Sequence, residues 1–191
     1  MSTFEMINGE YSLDLTLDEA HILINLAEQL LELLGEGDFS HHYTSDDPFA
    51  QLMSSLGAGS FGSEIAPPED EVLKRLLPNA YADPESSADF RRYTEQTIRS
   101  KKIATLREMR EELSTIVDSD QEGTITDLNA DIWLIGINDL RLALSVRLDI
   151  DEASFDLFES LPDEDPQKAI YAVYFWLGWL QESLLHILNP S

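Results

Sequence analysis

Residues 166–188 read PQKAIYAVYFWLGWLQESLLHIL and place apolar side chains on nearly every side of a helix. Asp165 precedes this run as a typical helix cap, and Pro166 suits the first helical position. A helix that is apolar all round is normally the buried centre of a globular fold. We therefore predict a helix over residues 166–188 at the centre of this protein.

A second core helix is predicted over residues 127–149. The segment Thr124-Ile125-Thr126-Asp127 resembles a capping box, which opens many helices, and apolar residues follow at the spacing of one helix face. An acidic stretch over residues 149–165, with a short helical turn around Phe155, connects the two helices. We expect the hydrophobic core to be built around them.

The N-terminal part of the chain predicts a small β-hairpin followed by a helix. Asn8-Gly9 is a strong signal for a tight turn, and it separates two short segments within residues 3–15. Thr16 and Glu19 then have the spacing of a capping box. A helix is therefore expected directly after the hairpin.

Three further helices are predicted in the middle of the chain. Two short helices begin at Asp47-Pro48 and at Pro67-Pro68, and a long helix runs from Asp83 to about Val117. The long helix would span roughly 52 Å, whereas a compact chain of this length has a diameter of only about 42 Å. We expect either a break near Ser100 or an end that overhangs the core.

Together these segments predict an all-α fold, a multi-helix orthogonal bundle with a small N-terminal β-hairpin. The expected organisation is a single domain over residues 1–191, with the hairpin at 3–15 and the helical core at 16–188. Because 43% of the residues are apolar, the chain can bury a core, which argues against a disordered protein.

Charge and cysteine content narrow the class of function. The chain has 12 basic and 37 acidic residues, a formal net charge of −25 that repels phosphate backbones and disfavours direct binding to nucleic acid. This charge serves solubility, suits a salty cytoplasm, or attracts a basic partner, including by mimicking a nucleic acid. Since the chain contains no cysteine, disulfides and thiolate chemistry are excluded.

The sequence contains no recognisable targeting or membrane segment. Residues 1–5 have neither the basic nor the apolar region of a signal peptide. The most apolar run, residues 169–180, is shorter than the roughly 18 to 20 residues that cross a bilayer. A cytoplasmic location is therefore expected.

Asp139 lies on the apolar side of the helix predicted over residues 127–149. A carboxylate there is costly unless it is paired and hydrogen-bonded, so we predict a buried ion pair with an arginine. Arg91 and Arg92 are the leading candidates, and Arg141 lies on the neighbouring polar stripe. The alternative is a polar cleft at these four residues that binds a small ligand or catalyses a reaction.

Residues 118–129 follow the pattern of an EF-hand calcium loop. Oxygen-bearing side chains fall at ligand positions, and a glycine stands at the sixth position. The candidate ligands are Asp118, Asp120, Glu122, Thr124, Thr126 and Asn129. Asn129 occupies the position where a bidentate glutamate anchors calcium, so we favour an acidic loop between helices, with a calcium site as the alternative.

Other candidate sites are weaker still. His41 and His42 lie near Asp46 and Asp47 and would form a surface metal cluster only if a loop brought them together. The glycine-rich residues 57–62 follow no predicted strand and precede no Walker-type lysine. The sequence therefore predicts no catalytic residue, no resident metal and no cofactor.

Seven segments in chain order carry a resemblance to a known family. They are Asp47-Pro48-Phe49, Asn79-Ala80-Tyr81, Asp89-Phe90-Arg91-Arg92-Tyr93-Thr94, Trp133, Asn138-Asp139-Leu140-Arg141-Leu142, Tyr174-Phe175-Trp176-Leu177 and Leu180-Gln181. Over nearly the whole chain they resemble the bacterial family called domain of unknown function 2017. The resemblance implies a helical fold without an established activity, and some members are labelled regulators. Members are often encoded near the adaptor of a Clp-type protease, which implies a link to proteolysis.

We therefore interpret the chain as a non-catalytic acidic helical protein, a protein–protein interaction or regulatory module. Its expected partner is a protein, either basic or connected with proteolysis, and neither a nucleic acid nor a membrane. An apolar helix face left uncovered would indicate a dimer. The alternatives are a ligand binder or enzyme with a cleft near Asp139 and Arg91, and an acidic nucleic-acid mimic.

Overall fold

The computed structural model describes residues 2–35, 68–119 and 121–189. In chain order its elements are β1 (Phe4–Ile7), β2 (Glu10–Leu15), α1 (Leu17–Leu33), α2 (Glu71–Leu76), α3 (Pro84–Ser119), β3 (Gly123–Ile125), α4 (Ala130–Arg147), α5 (Ser154–Ser160) and α6 (Pro166–Leu188). Helices make up 69% of the described residues, which confirms the mostly helical fold with its N-terminal hairpin. The helix predicted from Asp47-Pro48, the histidine cluster and the glycine-rich segment lie outside these residues.

The hairpin forms at the predicted turn. Asn8 and Gly9 have φ values of 54° and 90°, the pair of positive values that a type I′ turn requires. Phe4 pairs with Leu13 across the two antiparallel strands, and both side chains are buried. The backbone N–H of Phe4 also donates to Ser183 Oγ at 3.2 Å, which ties the first strand to α6.

A third strand was not predicted and replaces a predicted helix start. Residues of β3 pair antiparallel with β2, so that the strand order is β1-β2-β3. The predicted capping box at 124–127 is wrong, because Thr124 lies in the strand and Asp127 has a φ of 57°. Asn129 caps α4 instead, and its side chain accepts from the Asp131 N–H at 3.2 Å. The β-branched residues after Gly123 favour a strand once β2 offers a partner.

The start of α1 follows the predicted capping box. Thr16 Oγ1 accepts from the Glu19 N–H at 3.2 Å, and Glu19 Oε2 accepts from the Thr16 N–H at 2.9 Å. The helix ends before Gly35, whose φ of 76° stops the helical geometry. Both ends of α1 are therefore determined by local sequence.

The long helix α3 is continuous, so the predicted break near Ser100 is wrong. No glycine or proline follows Pro84 within the helix, and intrahelical pairs such as Arg99–Glu95 at 2.8 Å support it. Its buried apolar side chains begin at Ile103, whereas the first half buries only Ser87 and Arg91. The helix therefore extends beyond the core at its N-terminal end, which was the second of the two expectations.

The helix α6 is not the centre of the fold. It packs against α4 and β1 and buries Tyr171, Leu177, Leu180 and Leu184, but Trp179 is 46% exposed. The predicted central position is therefore wrong, because an all-round apolar sequence does not determine how many sides of a helix its neighbours cover. The most enclosed side chains also come from α1, α3 and α4, and include Leu23, Leu31, Leu106, Met109, Leu113, Trp133 and Ile137.

Candidate functional site

A buried ion pair joins α3 to α4. Asp139 is 1% exposed, and Lys102 Nζ donates to its two carboxylate oxygens at 2.7 and 2.9 Å. One turn away the two helices approach closely, since a Cβ built on Gly136 would lie 2.8 Å from Met109 Sδ. This close approach allows the lysine to reach a carboxylate on the neighbouring helix.

The carboxyl group of Asp139 titrates abnormally because of its position. Burial raises the pKa of Asp139 above its ordinary value, while the hydrogen bond and positive charge of Lys102 act in the opposite direction. The pair therefore bridges two core helices in a site closed to bulk water on the carboxylate side.

The predicted arginine partners of Asp139 are wrong. Arg91 donates to Asn79 Oδ1, and Arg92 lies 3.6 Å from Asp89. Position 91 is three helical turns from Lys102 along α3, about 16 Å at 1.5 Å per residue, so neither arginine shares a site with Asp139. The alternative of a polar cleft that joins Asp139 and Arg91 has no support among the described residues, since the two side chains have separate partners.

Arg141 has a different role from the one that the sequence indicated. Its Nη1 donates to Gln181 Oε1 at 2.5 Å, and its guanidinium lies 5.3 Å from the centre of the Tyr174 ring. A Cβ on Gly178 would come within 3.3 Å of the same guanidinium. Arg141 therefore joins α4 to α6 and lies apart from the Lys102–Asp139 pair.

A sequence signal for Lys102 existed and was missed. Lys102, Leu106, Met109 and Leu113 repeat at the spacing of one helix face, and the last three side chains are 0% exposed. A lysine in line with an apolar stripe indicates a buried cation in the same way that Asp139 indicated a buried carboxylate. The buried cation Lys102 and the buried carboxylate Asp139 form one ion pair.

A second carboxyl group with a raised pKa accepts the indole N–H of Trp133. Burial raises the pKa of Glu112, the hydrogen bond from Trp133 lowers it, and the charges of Glu108 and Asp127 raise it again. The net direction is upward, so ionisation of Glu112 is less favourable in the folded chain than in the unfolded one.

At pH 7 we expect the Glu112→Gln variant to have a free energy of unfolding equal to or greater than that of the native chain. The amide oxygen still accepts from Trp133, and the buried charge is gone. Because the folded pKa is raised, native Glu112 regains stability as the pH falls through that value, so the advantage of the variant should shrink toward pH 4. Urea denaturation at several pH values measures this difference in the free energy of unfolding. The control is Glu111→Gln, an exposed neighbour, and an equal pH trend in both variants would contradict the assignment.

A groove of about 510 Å³ lies between α1, α2 and α4. Its lining is mainly apolar, with Leu26, Leu30, Leu33, Val72, Leu140, Ala143 and Leu144 on the walls. Arg147 stands in the same lining, and its Nη2 donates to Asp70 Oδ2 at 2.7 Å. The cation of the groove is therefore already engaged by a carboxylate.

The residues of the predicted calcium loop have other positions and partners. Asp118 belongs to the last turn of α3, Thr124 lies in β3 and donates to Asp14, and Asn129 caps α4. Asp120 lies outside the described residues, and Glu122 and Thr126 are exposed. Among residues 2–35, 68–119 and 121–189, no group of three or more histidine or acidic side chains could hold a metal ion.

A partly exposed cluster of aromatic rings joins α5 to α6. Phe155 packs edge-on against Phe175 with centroids 5.4 Å apart, and Phe158 lies 5.2 Å from the same ring. Trp179 follows Phe175 by one helical turn on the same face. Phe155 is 52% exposed and Trp179 is 46% exposed. We call these four side chains the aromatic patch; the apolar pattern of α6 predicts core residues and does not reveal it.

Carboxylates border the aromatic patch. Asp156 and Glu159 share α5 with its two phenylalanines, and Glu182 follows Trp179 by three residues on α6; all three are exposed. They form no ion pair with any residue that the structure describes, and we call them the carboxylate rim. The nearby cation, Lys168, lies 5.7 Å from the Phe158 ring and is bound to Asp163 at 2.8 Å.

The sequence of this chain is similar to a protein family and to several named proteins. The model of the family described as "Domain of unknown function (DUF2017)" matches residues 1–188. The protein named "Oxidative stress regulator AosR" of Mycobacterium bovis, and its namesake in Mycobacterium tuberculosis, are each 31% identical over 188 residues, which cover 91% of this chain and 79% of theirs. A Mycobacterium leprae relative is 32% identical over 187 residues, covering 91% and 80%. No solved structure matches, and no helix among the described residues has the length and apolar character needed to cross a membrane.

Proposed function

This chain belongs to the DUF2017 family, and from that premise we propose that it is a regulatory protein that acts by binding another protein. The observation that carries the proposal is the aromatic patch, where two large rings stand about half exposed. Monomeric proteins rarely leave such clustered apolar surface in water, and aromatic residues are enriched where proteins bind one another. The regulatory part rests on the names of the curated relatives.

The raised pKa values of the Asp139 and Glu112 carboxyl groups are explained without a catalytic role. Shifted pKa values often mark active sites, but ion pairs and buried hydrogen bonds of the core shift them as well. Asp139 binds Lys102, and Glu112 accepts from Trp133, so both groups already have structural partners. Their positions support a scaffold that holds α3 and α4 together.

The composition limits how such a regulator would work. With no cysteine in the chain, oxidation of its own thiols cannot switch it. With a net charge of −25, direct contact with nucleic acid is electrostatically unfavourable. Both points favour regulation through a protein partner, and the partner would carry any contact with nucleic acid or oxidant.

We expect the purified chain, immobilised as bait, to retain one protein in stoichiometric amount from a lysate of its own source. The wash is done at low and at high salt, because a contact held by charge alone is lost at high salt whereas an apolar contact persists. The retained protein is then purified and the complex is rebuilt from the two components. Failure to retain any protein stoichiometrically at either salt concentration would contradict the proposed function.

A further inference from the structure

We infer that the aromatic patch, with the carboxylate rim beside it, binds a basic amphipathic helix of another protein. This inference rests on the proposed function and adds the chemistry of the partner segment. The patch is Phe155, Phe158, Phe175 and Trp179, and the rim is Asp156, Glu159 and Glu182.

The patch spans two helices that pack against each other. Phe155 and Phe158 lie three residues apart on α5, and both contact Phe175 of α6 at centroid distances of 5.4 and 5.2 Å. Trp179 continues the same face one turn further along. Two packed helices with exposed apolar residues between them offer the surface on which a third helix docks with residues spaced at i, i+3, i+4 and i+7.

Pairing of the partner as an added β-strand is not available at this surface. Both elements that form the patch are helices and present no strand edge. A partner must therefore be recognised through side chains. Large aromatic residues supply most of the binding energy in such contacts, and Trp is among the residues most enriched there.

The charge around the patch selects a basic segment. Residues 149–165 contain eight acidic and no basic side chains, and Lys168, the cation that lies over the Phe158 ring, is bound to Asp163. A helix with apolar residues on one face and lysine or arginine along its borders would bury its apolar face on the rings and place its cations against the rim. Complementary charge of this kind fixes orientation and speeds association.

The same charge argues against a second copy of this chain as the occupant. A symmetric dimer brings the same patch from both copies together, and therefore brings one carboxylate rim against the other. Each copy also carries a net charge of −25. Repulsion between like charges across the contact opposes dimerisation through this surface.

The test uses the full chain and a designed probe. The probe is a fluorescein-labelled 18-residue peptide with leucine and tryptophan on one helix face and lysine and arginine on the other, and binding is followed by anisotropy. A peptide of the same composition with its apolar positions scrambled measures attraction by charge alone. A third peptide with glutamate in place of the basic residues measures apolar attraction alone. We expect only the basic amphipathic peptide to bind tightly.

The matched variants locate the contact. We expect the double substitution Phe155→Ala and Trp179→Ala to weaken binding of the basic amphipathic peptide by about tenfold or more, because both residues are aromatic anchors. The control removes exposed apolar side chains elsewhere, Met6→Ala with Tyr93→Ala, and should leave affinity unchanged. Because each of the four side chains is at least 46% exposed, circular dichroism should show the native fold in each variant.

A second pair of variants tests the rim. Asp156→Asn with Glu159→Gln should weaken the basic peptide about threefold at about 0.1 M salt, with the difference lost at high salt. Glu5→Gln with Glu10→Gln removes two exposed carboxylates from the hairpin as the control. Equal losses in both pairs would show that net charge, and not this surface, attracts the peptide.

Three further outcomes would contradict the inferred binding surface, and a fourth would contradict the proposed function. If the patch variants bind the amphipathic peptide as the native chain does, the inference is overturned. If sedimentation shows a dimer that the patch variants dissociate, the occupant is a second copy and the inference is again overturned. A lysate partner that is retained equally by native and patch-variant bait would contradict this surface and leave the proposed function standing, whereas failure to retain any partner would contradict the proposed function itself.

Discussion

Replacing Trp133 with alanine should remove about 3–5 kcal/mol from the free energy of unfolding, a large part of the stability of a chain of this size. Trp133 is 0% exposed, and its ring meets Phe4 edge-on with centroids 5.7 Å apart. Its indole N–H also donates to Glu112. The alanine variant therefore opens a large cavity between α4 and the hairpin and leaves a half-buried carboxyl without its donor.

Two controls separate the cavity from the hydrogen bond. Trp133→Phe keeps an aromatic ring in the core but loses the N–H, and should cost about 1–3 kcal/mol. Trp179→Ala removes a ring of the same size from the surface and should change the free energy of unfolding by less than about 1 kcal/mol. Urea unfolding followed by far-UV circular dichroism measures all three. A similar loss for the two alanine variants would contradict the contrast between a core and a surface tryptophan.

The elements that the sequence predicted well are those whose signals are local. The turn at Asn8 and Gly9 depends on two residues that tolerate positive φ, and the start of α1 depends on the reciprocal bonds of Thr16 and Glu19. Neither needs any knowledge of distant parts of the chain. Periodicity also located the helices to within a few residues, because an apolar stripe and the residues that cap it lie in one segment.

The errors concern contacts between segments that are distant in the chain. The strand β3 exists because β2 offers an edge more than a hundred residues away, and no local pattern records that edge. The partner of Asp139 depends on which turn of α3 passes α4, and the close approach at Gly136 decides that it is Lys102. The exposed side of α6 likewise depends on how few elements cover it.

The aromatic patch could not be predicted for the same reason, because local sequence does not show which side chains the neighbouring elements cover. The aromatic residues of α6 are evident in the sequence, and they predict a core helix because burial is the commoner reason for such a composition. The packing of α6 against α4 and β1 leaves Trp179 46% exposed, while Phe175 contacts the two phenylalanines of α5. A binding surface and a buried core have the same composition, so their difference lies in the coverage by neighbours.

Replacing Lys102 with methionine should cost about 3–5 kcal/mol at pH 7, because it leaves the Asp139 carboxylate buried without a counter-charge. Methionine has nearly the volume of the lysine side chain, so packing changes little. The carboxylate is 2% exposed at its side chain and cannot reach water without moving the helices. Removal of one partner of a buried pair is therefore far more costly than the pair is worth.

The pH dependence distinguishes this loss from an ordinary packing defect. Lys102 lowers the pKa of Asp139 while burial raises it, so without the lysine the folded pKa rises further above the unfolded value of about 3.9. A group with a raised folded pKa binds its proton more tightly in the folded chain. The variant should therefore regain stability as the pH falls through the folded pKa toward the unfolded value, by up to about 1.4 kcal/mol per pH unit. A loss that stays the same at every pH from 7 down to 4 would contradict this account.

Lys102→Met combined with Asp139→Leu replaces both charges by apolar side chains of similar size, and exchanges of this kind in other proteins are neutral or stabilising. We expect it to recover most of the stability that Lys102→Met loses and to show no pH dependence from this site. Such a result would mean that the pair selects the arrangement of α3 against α4 and contributes little net stability. If the double variant is as unstable as the single one, the ion pair itself holds the two helices together.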